Sequence, residues 1–162
     1  MTAITFTLDD AALKSALGKL SDAIEDMAPV MDSIGQTLQD NIRLNLGRGL
    51  QYDGQPMQPL QHPRRRQGRG SGGNVPLNDT RQHIYHKITH QADAHSVAVG
   101  MNENVNIGAI HQFGGKAGRG LKATIPPRPF LPIRDQRVDL PNDWRNEIHD
   151  EIALALKKVL PH

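Results

Sequence analysis

Leucine, isoleucine and methionine recur at helical spacing along the first third of the chain. Leu13, Leu17, Leu20, Ile24 and Met27 follow one another at intervals of four, three, four and three, which aligns them on one helix face. Met31, Ile34, Leu38, Ile42 and Leu46 resume the pattern. Pro29 separates the two runs; it disrupts a helix interior but suits a first turn. The pattern predicts two helices, or one kinked near Ala28-Pro29, over residues 9 to 46. Asp9 or Asp10 is placed to cap the start, and Gly47 and Gly49 to end it. A stripe this regular reads as core packing.

The period then changes. His83 to Thr89 alternates imperfectly and His95 to Gly100 alternates better, with Val97 and Val99 on one face. The short link Gln91-Ala92-Asp93-Ala94 between them predicts a hairpin. Ala123-Thr124-Ile125 is a further strand candidate. Residues 141 to 160 return to helical spacing, with Trp144, Ile148, Ile152, Leu156 and Val159 on one face. Pro141, Asn142 and Asp143 suit its start and Pro161 its stop, while Lys157 and Lys158 lie late and complement the helix dipole. The predicted class is α+β: N-terminal helices and a C-terminal helix packed on a small antiparallel sheet with long Gly/Pro-rich loops.

Composition sharpens this picture. The 162 residues fit a single domain, 1–162, large enough to bury roughly 70% of the unfolded surface. Fifteen glycines and 11 prolines concentrate between Gly47 and Pro132. Aromatic residues are few, three Phe, two Tyr and one Trp, so the core must lean on aliphatic side chains. The absence of cysteine excludes disulfides, thiolate metal sites and a thiol nucleophile. No apolar run approaches the ~18 residues that span a bilayer. Met1 to Phe6 lacks the basic-then-apolar texture of a signal peptide. A soluble protein made in the cytoplasm is expected, with no membrane partner. The net charge is only +2, but Arg43, Arg48, Arg64, Arg65, Arg66 and Arg69 stand against the single acid Asp53 between residues 43 and 70. The stretch RRRQGRGSGG is poor in apolar residues and cannot offset its ordering entropy by burial, which predicts a mobile loop over 62–75.

Candidate chemistry is sparse. His83, His86 and His90 are spaced by three and four, but a strand puts His83 and His86 on opposite faces, and polar positions on a half-exposed sheet suit them better than metal ligation. His111, beside glycines, reads as fixing its own turn through a backbone hydrogen bond rather than as a general base. There is no G-x-S-x-G elbow, no Walker lysine and no carboxylate pair set off for acid/base work. No enzyme, cofactor or metal is expected. Arg64, Arg65, Arg66, Arg69, Lys116, Arg119 and Lys122 lie in two Gly-rich loops that could contact phosphates without reading sequence. A sequence-independent nucleic-acid-binding protein is therefore the second reading, though these loops lack aromatics to stack on single strands.

Two local textures remain. Ala109-Ile110-His111-Gln112-Phe113-Gly114-Gly115 reads as a turn, with paired glycines opening conformations closed to other residues. Pro126-Pro127-Arg128-Pro129-Phe130-Leu131-Pro132 reads as a stiff extended path, which presents Arg128 and Phe130 at low entropic cost. "IHQFGG" followed by "IPPRPFL" resembles the signature of the phage virion morphogenesis family, the tail-completion proteins of Mu-like and P2-like contractile-tailed phages. Three further landmarks fall in order. Residues 52–60, YDGQPMQPL, are similar to a "DG-x-P-W-x-P-L" segment, with Met57 where an aromatic is common. Leu77-Asn78-Asp79-Thr80-Arg81 resembles "L-x-x-T-G", with Arg81 where glycine is usual. Val97-Ala98-Val99-Gly100 resembles "V-x-V-G".

The resemblance implies a virion protein assembled in the bacterial host cytoplasm, acting in tail completion or head–tail joining. Its implied partners are other tail, neck or connector proteins and further copies of itself in a ring, with non-specific DNA contact as an option. Phe113, Arg128 and Phe130 are the candidate subunit-interface residues. Arg64, Arg65, Arg66 and Arg69 are the candidate partner or phosphate contacts.

Overall fold

The computed structural model describes residues 11–60, 75–77, 84–103 and 105–159. The expected capping by Asp9 or Asp10, the stop at Pro161 and nearly all of the 62–75 loop lie outside them. Helix α1 spans Ala11–Glu25 and α2 spans Ala28–Arg48, with Pro29 in the first turn of α2. This is the predicted two-helix arrangement. Gly47 does not end α2; Gly49 does, adopting φ 72° and donating its amide to Leu46 O at 3.2 Å. Only glycine enters that left-handed region without steric cost.

The two apolar stripes have different fates. Ile34, Leu38, Ile42 and Leu46 of α2 are buried and form the spine of the core. In α1, Leu17 is 56% exposed, while Leu20 and Met27 are half-buried and the helix packs on α4, so the α1 stripe is covered only in part. Periodicity reports amphipathicity and does not say what covers the apolar face.

Strand β1 spans Ile88–Ala92 and pairs antiparallel with β2, Val97–Met101, with His90 opposite Val99. The strand expected over His83 to Thr89 is corrected in its described part, His83 lying outside it: Tyr85–Lys87 is a single 3-10 turn closed by Lys87 N to Ile84 O at 3.0 Å. Ile84 and Ile88 are both buried, and their spacing of four fits a helical turn that inserts both into one core. The β1–β2 turn falls at Asp93–Ser96, where the Asp93 carboxylate accepts from the amides of His95 and Ser96 at 2.7 and 2.8 Å. These bonds hold its pKa below the usual aspartate value.

Helix α3 spans Val105–Phe113. Strands β3, Gly115–Ala117, and β4, Ala123–Ile125, pair antiparallel, as do β5, Ile133–Arg134, and β6, Arg137–Val138. Helix α4 spans Asn142–Val159. The described residues thus form an α+β fold of four α-helices with three separate two-stranded hairpins, where one small sheet was expected. A lone two-stranded hairpin is marginal in water, and β1–β2 is held by packing on α2.

α2 lies at the centre, against β1 and β2 and against α4. Gly35 allows the close approach of β1: a Cβ there would lie 2.5 Å from the His90 ring. That ring is bracketed by Gln39 Oε1 and Asp32 Oδ1, each at 3.1 Å from a ring nitrogen. α4 docks through Trp144, buried in the core. A polar seam joins it to α2, in which Ser33 donates to Glu151 at 2.8 Å and Asn41 donates to Glu147 at 2.5 Å.

Candidate assembly surface

The segment expected as a turn, Ala109 to Gly115, is the last part of helix α3 plus the two glycines that end it. Gly114, at φ 75°, lies where a Cβ would come within 3.0 Å of Pro127 Cδ and 3.2 Å of Ile125 O. The glycine pair and the proline segment, distinct in the sequence, are thus one packed unit.

Gln112 joins them. It is buried, and its Oε1 accepts from the amides of Phe130 and Leu131, both at 2.9 Å. Its Nε2 donates to Leu131 O at 3.0 Å and to Ile133 O at 3.4 Å. One side-chain amide thereby replaces the strand partner that a proline-rich path cannot recruit. His111 O accepts from Arg128 N at 2.6 Å and Pro129 O from Tyr52 N at 3.2 Å, which ties the path to α3 and to the Tyr52 turn. Gln112 was missed by the sequence reasoning; a polar residue inside an apolar helix beside a proline run was the available signal.

Arg128 and Phe130 are corrected as presented side chains. Phe130 is 2% exposed and belongs to the core cluster with Ile42, Ile88 and Trp144. Arg128 is 4% exposed, donating from Nε to Gln58 O at 2.7 Å and from Nη2 to Pro59 O at 3.0 Å. Burial pushes its pKa below the usual guanidinium range. The rigid path faces inward because Gln112 and the core bind its side of the chain. Tyr52 anchors the facing turn: its hydroxyl donates to Asp139 at 2.6 Å and accepts from Arg134 Nη2 at 2.9 Å. Burial, aided by the Asp139 carboxylate, raises the Tyr52 pKa.

What faces outward lies beside this unit. Phe113 is 61% exposed and Ile107 of the same helix is 40% exposed. The β3–β4 hairpin follows directly and carries exposed Lys116, Arg119 and Lys122. None of these is ion-paired among the described residues. Leu121 at the hairpin tip is 63% exposed. Phe113 of the three interface candidates is therefore accessible, and it adjoins an apolar-and-basic prong. Arg64, Arg65, Arg66 and Arg69 lie outside the described residues. Among the described residues no group of histidines and carboxylates is placed to hold a metal ion, and no helix is long and apolar enough to cross a membrane.

His111 is partly buried, and its Nδ1 has no hydrogen-bond partner among the described residues, so it does not fix a turn as expected. Burial, reinforced by the Arg128 cation, pulls its pKa below the usual 6.5. The fold therefore favours the neutral ring. Stability is complete above pH 6.5 and falls below it, as the unfolded chain takes a proton that the folded state resists, until the lower folded pKa is passed. Urea unfolding of the wild type against His111→Leu is expected to show the wild type losing ground to the variant between pH 7.5 and pH 5; parallel curves contradict this.

The comparisons with known proteins agree with one another. The sequence pattern of the phage virion morphogenesis family matches residues 8–157. The chain is 37% identical over 145 residues to "Mu-like prophage FluMu G protein 2" of Haemophilus influenzae, covering 90% of this chain and 92% of that protein. No solved structure matches. With the IHQFGG and IPPRPFL landmarks joined through Gln112, and nearly the full length matched, this chain belongs to the phage virion morphogenesis family and is a phage structural and assembly protein.

Proposed function

We propose that this protein acts at the neck of the virion, completing the tail or joining it to the DNA-filled head as part of a ring of copies. The observation that carries the reading is the division within the matched segment. Its proline half is spent on the chain's own core, while Phe113, Leu121 and three cations without an ion-pair partner among the described residues are left to solvent. A monomer gains nothing from that exposure; a part that docks on tail, neck or connector proteins does. Gold-labelled antibody against the chain, applied to purified particles, is expected to mark the tail end or the neck. Label spread along the tail shaft, or absent from particles, contradicts the reading.

Non-specific DNA contact is the second reading, favoured by Lys116, Arg119 and Lys122 on one acid-free hairpin. Phosphate binding of this kind weakens steeply with salt, whereas apolar docking tolerates it.

A further inference from the structure

The tip of the β3–β4 hairpin, Gly118-Arg119-Gly120-Leu121, holds Leu121 at φ 54°. A non-glycine residue enters that region at a cost, and here the strain projects an apolar side chain into solvent between Arg119 and Lys122. Residues 114 to 125 contain no acid. The tip is a hydrophobic knob in a basic collar.

A matching recess lies where the start of α2 meets the end of α4. This groove of about 320 Å³ is lined by Met27, Val30, Leu154 and Leu156, with the acids Asp26 and Glu151 and one cation, Lys158. Leu154 is 54% exposed. Asp22 and Glu25, exposed near the end of α1, precede Asp26. A DNA backbone would satisfy the cations of the knob but leave Leu121 in water; an acid-rimmed apolar groove satisfies both.

We propose that the β3–β4 hairpin of one copy docks in the α2–α4 groove of the next, with Leu121 on Met27, Val30 and Leu154 and the basic collar facing Asp26. This rests on the ring reading above and gives it a contact. Knob and groove are different surfaces, so the contact is heterologous, and repetition closes into a ring when the rotation allows.

The lack of cysteine in the chain makes the test clean. Leu121→Cys, Leu154→Cys and the double variant are expressed in phage-producing cells whose own copy of the gene is deleted. Lysates are oxidised and run without reductant. The double variant is expected to give a ladder of dimer, trimer and higher bands. Each single variant is expected to stay monomeric, and the two singles co-expressed to give a dimer and nothing larger. Monomer alone from the double variant overturns the proposal, as do dimers from Leu121→Cys alone, which mean tip-to-tip contact, or adducts to a different protein. A second pair, Arg119→Cys with Asp26→Cys, repeats the test should the first pair fold poorly. The two levels separate: a ladder in a phage whose deletion leaves virions intact removes the neck role and keeps the contact. No ladder, with heads and tails separated in the deletion, removes the contact and keeps the role.

Discussion

Phe130→Ala is expected to lower the free energy of unfolding by about 4 kcal/mol, in the range for phenylalanine truncation in a packed core. Phe130 is among the largest fully buried side chains, at 2% exposure, and packs within the cluster built on α2 and closed by Ile88 and Trp144. Its backbone is pinned by Gln112 at 2.9 Å, so the segment cannot collapse freely into the cavity left behind. A domain of this size has about 5–15 kcal/mol in hand, and the variant should be soluble only at reduced temperature or largely unfolded. Phe113→Ala, by contrast, is expected to stay within about 0.5 kcal/mol of wild type, as surface changes do. The two phenylalanines look equivalent in the sequence, and urea midpoints separate them. A cost below about 1 kcal/mol at Phe130 contradicts its place in the core.

Gln112→Met is expected to cost about 3 kcal/mol. Methionine nearly preserves shape and apolar volume, so packing changes little and the loss is one of hydrogen bonding. Phe130 N, which is buried, and Leu131 N both lose their acceptor, and an unsatisfied buried amide costs about 1–3 kcal/mol. The carbonyls of Leu131 and Ile133 lose a donor, at smaller cost where water reaches them. Because no described strand pairs with the proline path, no other described residue is placed to take over. Thermal unfolding checks this, and amide exchange at Leu131 localises it: protection should fall there first. A variant as stable as wild type, with exchange unchanged, contradicts the clamp.

The sequence was most legible where one local rule acts alone. Pro29 and Gly49 mark the helix boundaries within a residue or two because each has a steric reason to sit there. Val97 and Val99 share a face that packs on the core, and the α2 stripe is its spine. Where tertiary packing decides, local rules failed. The 3-10 turn at Tyr85–Lys87 exists because Ile84 and Ile88 enter one core. The α1 stripe is covered only in part, with Leu17 left 56% exposed. Residues 109–113 extend α3 although the glycine pair after them suggested a turn; Gly114 and Gly115 come only after the helix has ended.

The site followed the same division. The landmarks named the right segments, and the family comparison matches them along almost the whole chain. Which side chains face outward was not legible. Arg128 and Phe130 look like presented groups on a rigid path, since rigidity suits presentation as well as packing. Gln112, far apart in sequence from its partners, decides between the two by holding the path against the core. The accessible surface then shifts to Phe113 and the hairpin, whose lysines and arginine the sequence offers as phosphate contacts.

The central claim is that this protein completes the tail or joins it to the head, and deletion of the gene tests it most directly. Induced lysates of the deletion, from a strain that releases particles, are imaged by electron microscopy beside the same strain carrying the restored gene. DNA-filled heads lying beside separate tails of normal length are expected in the deletion, and whole virions on restoration. Intact, infectious virions in the deletion lysate would contradict it.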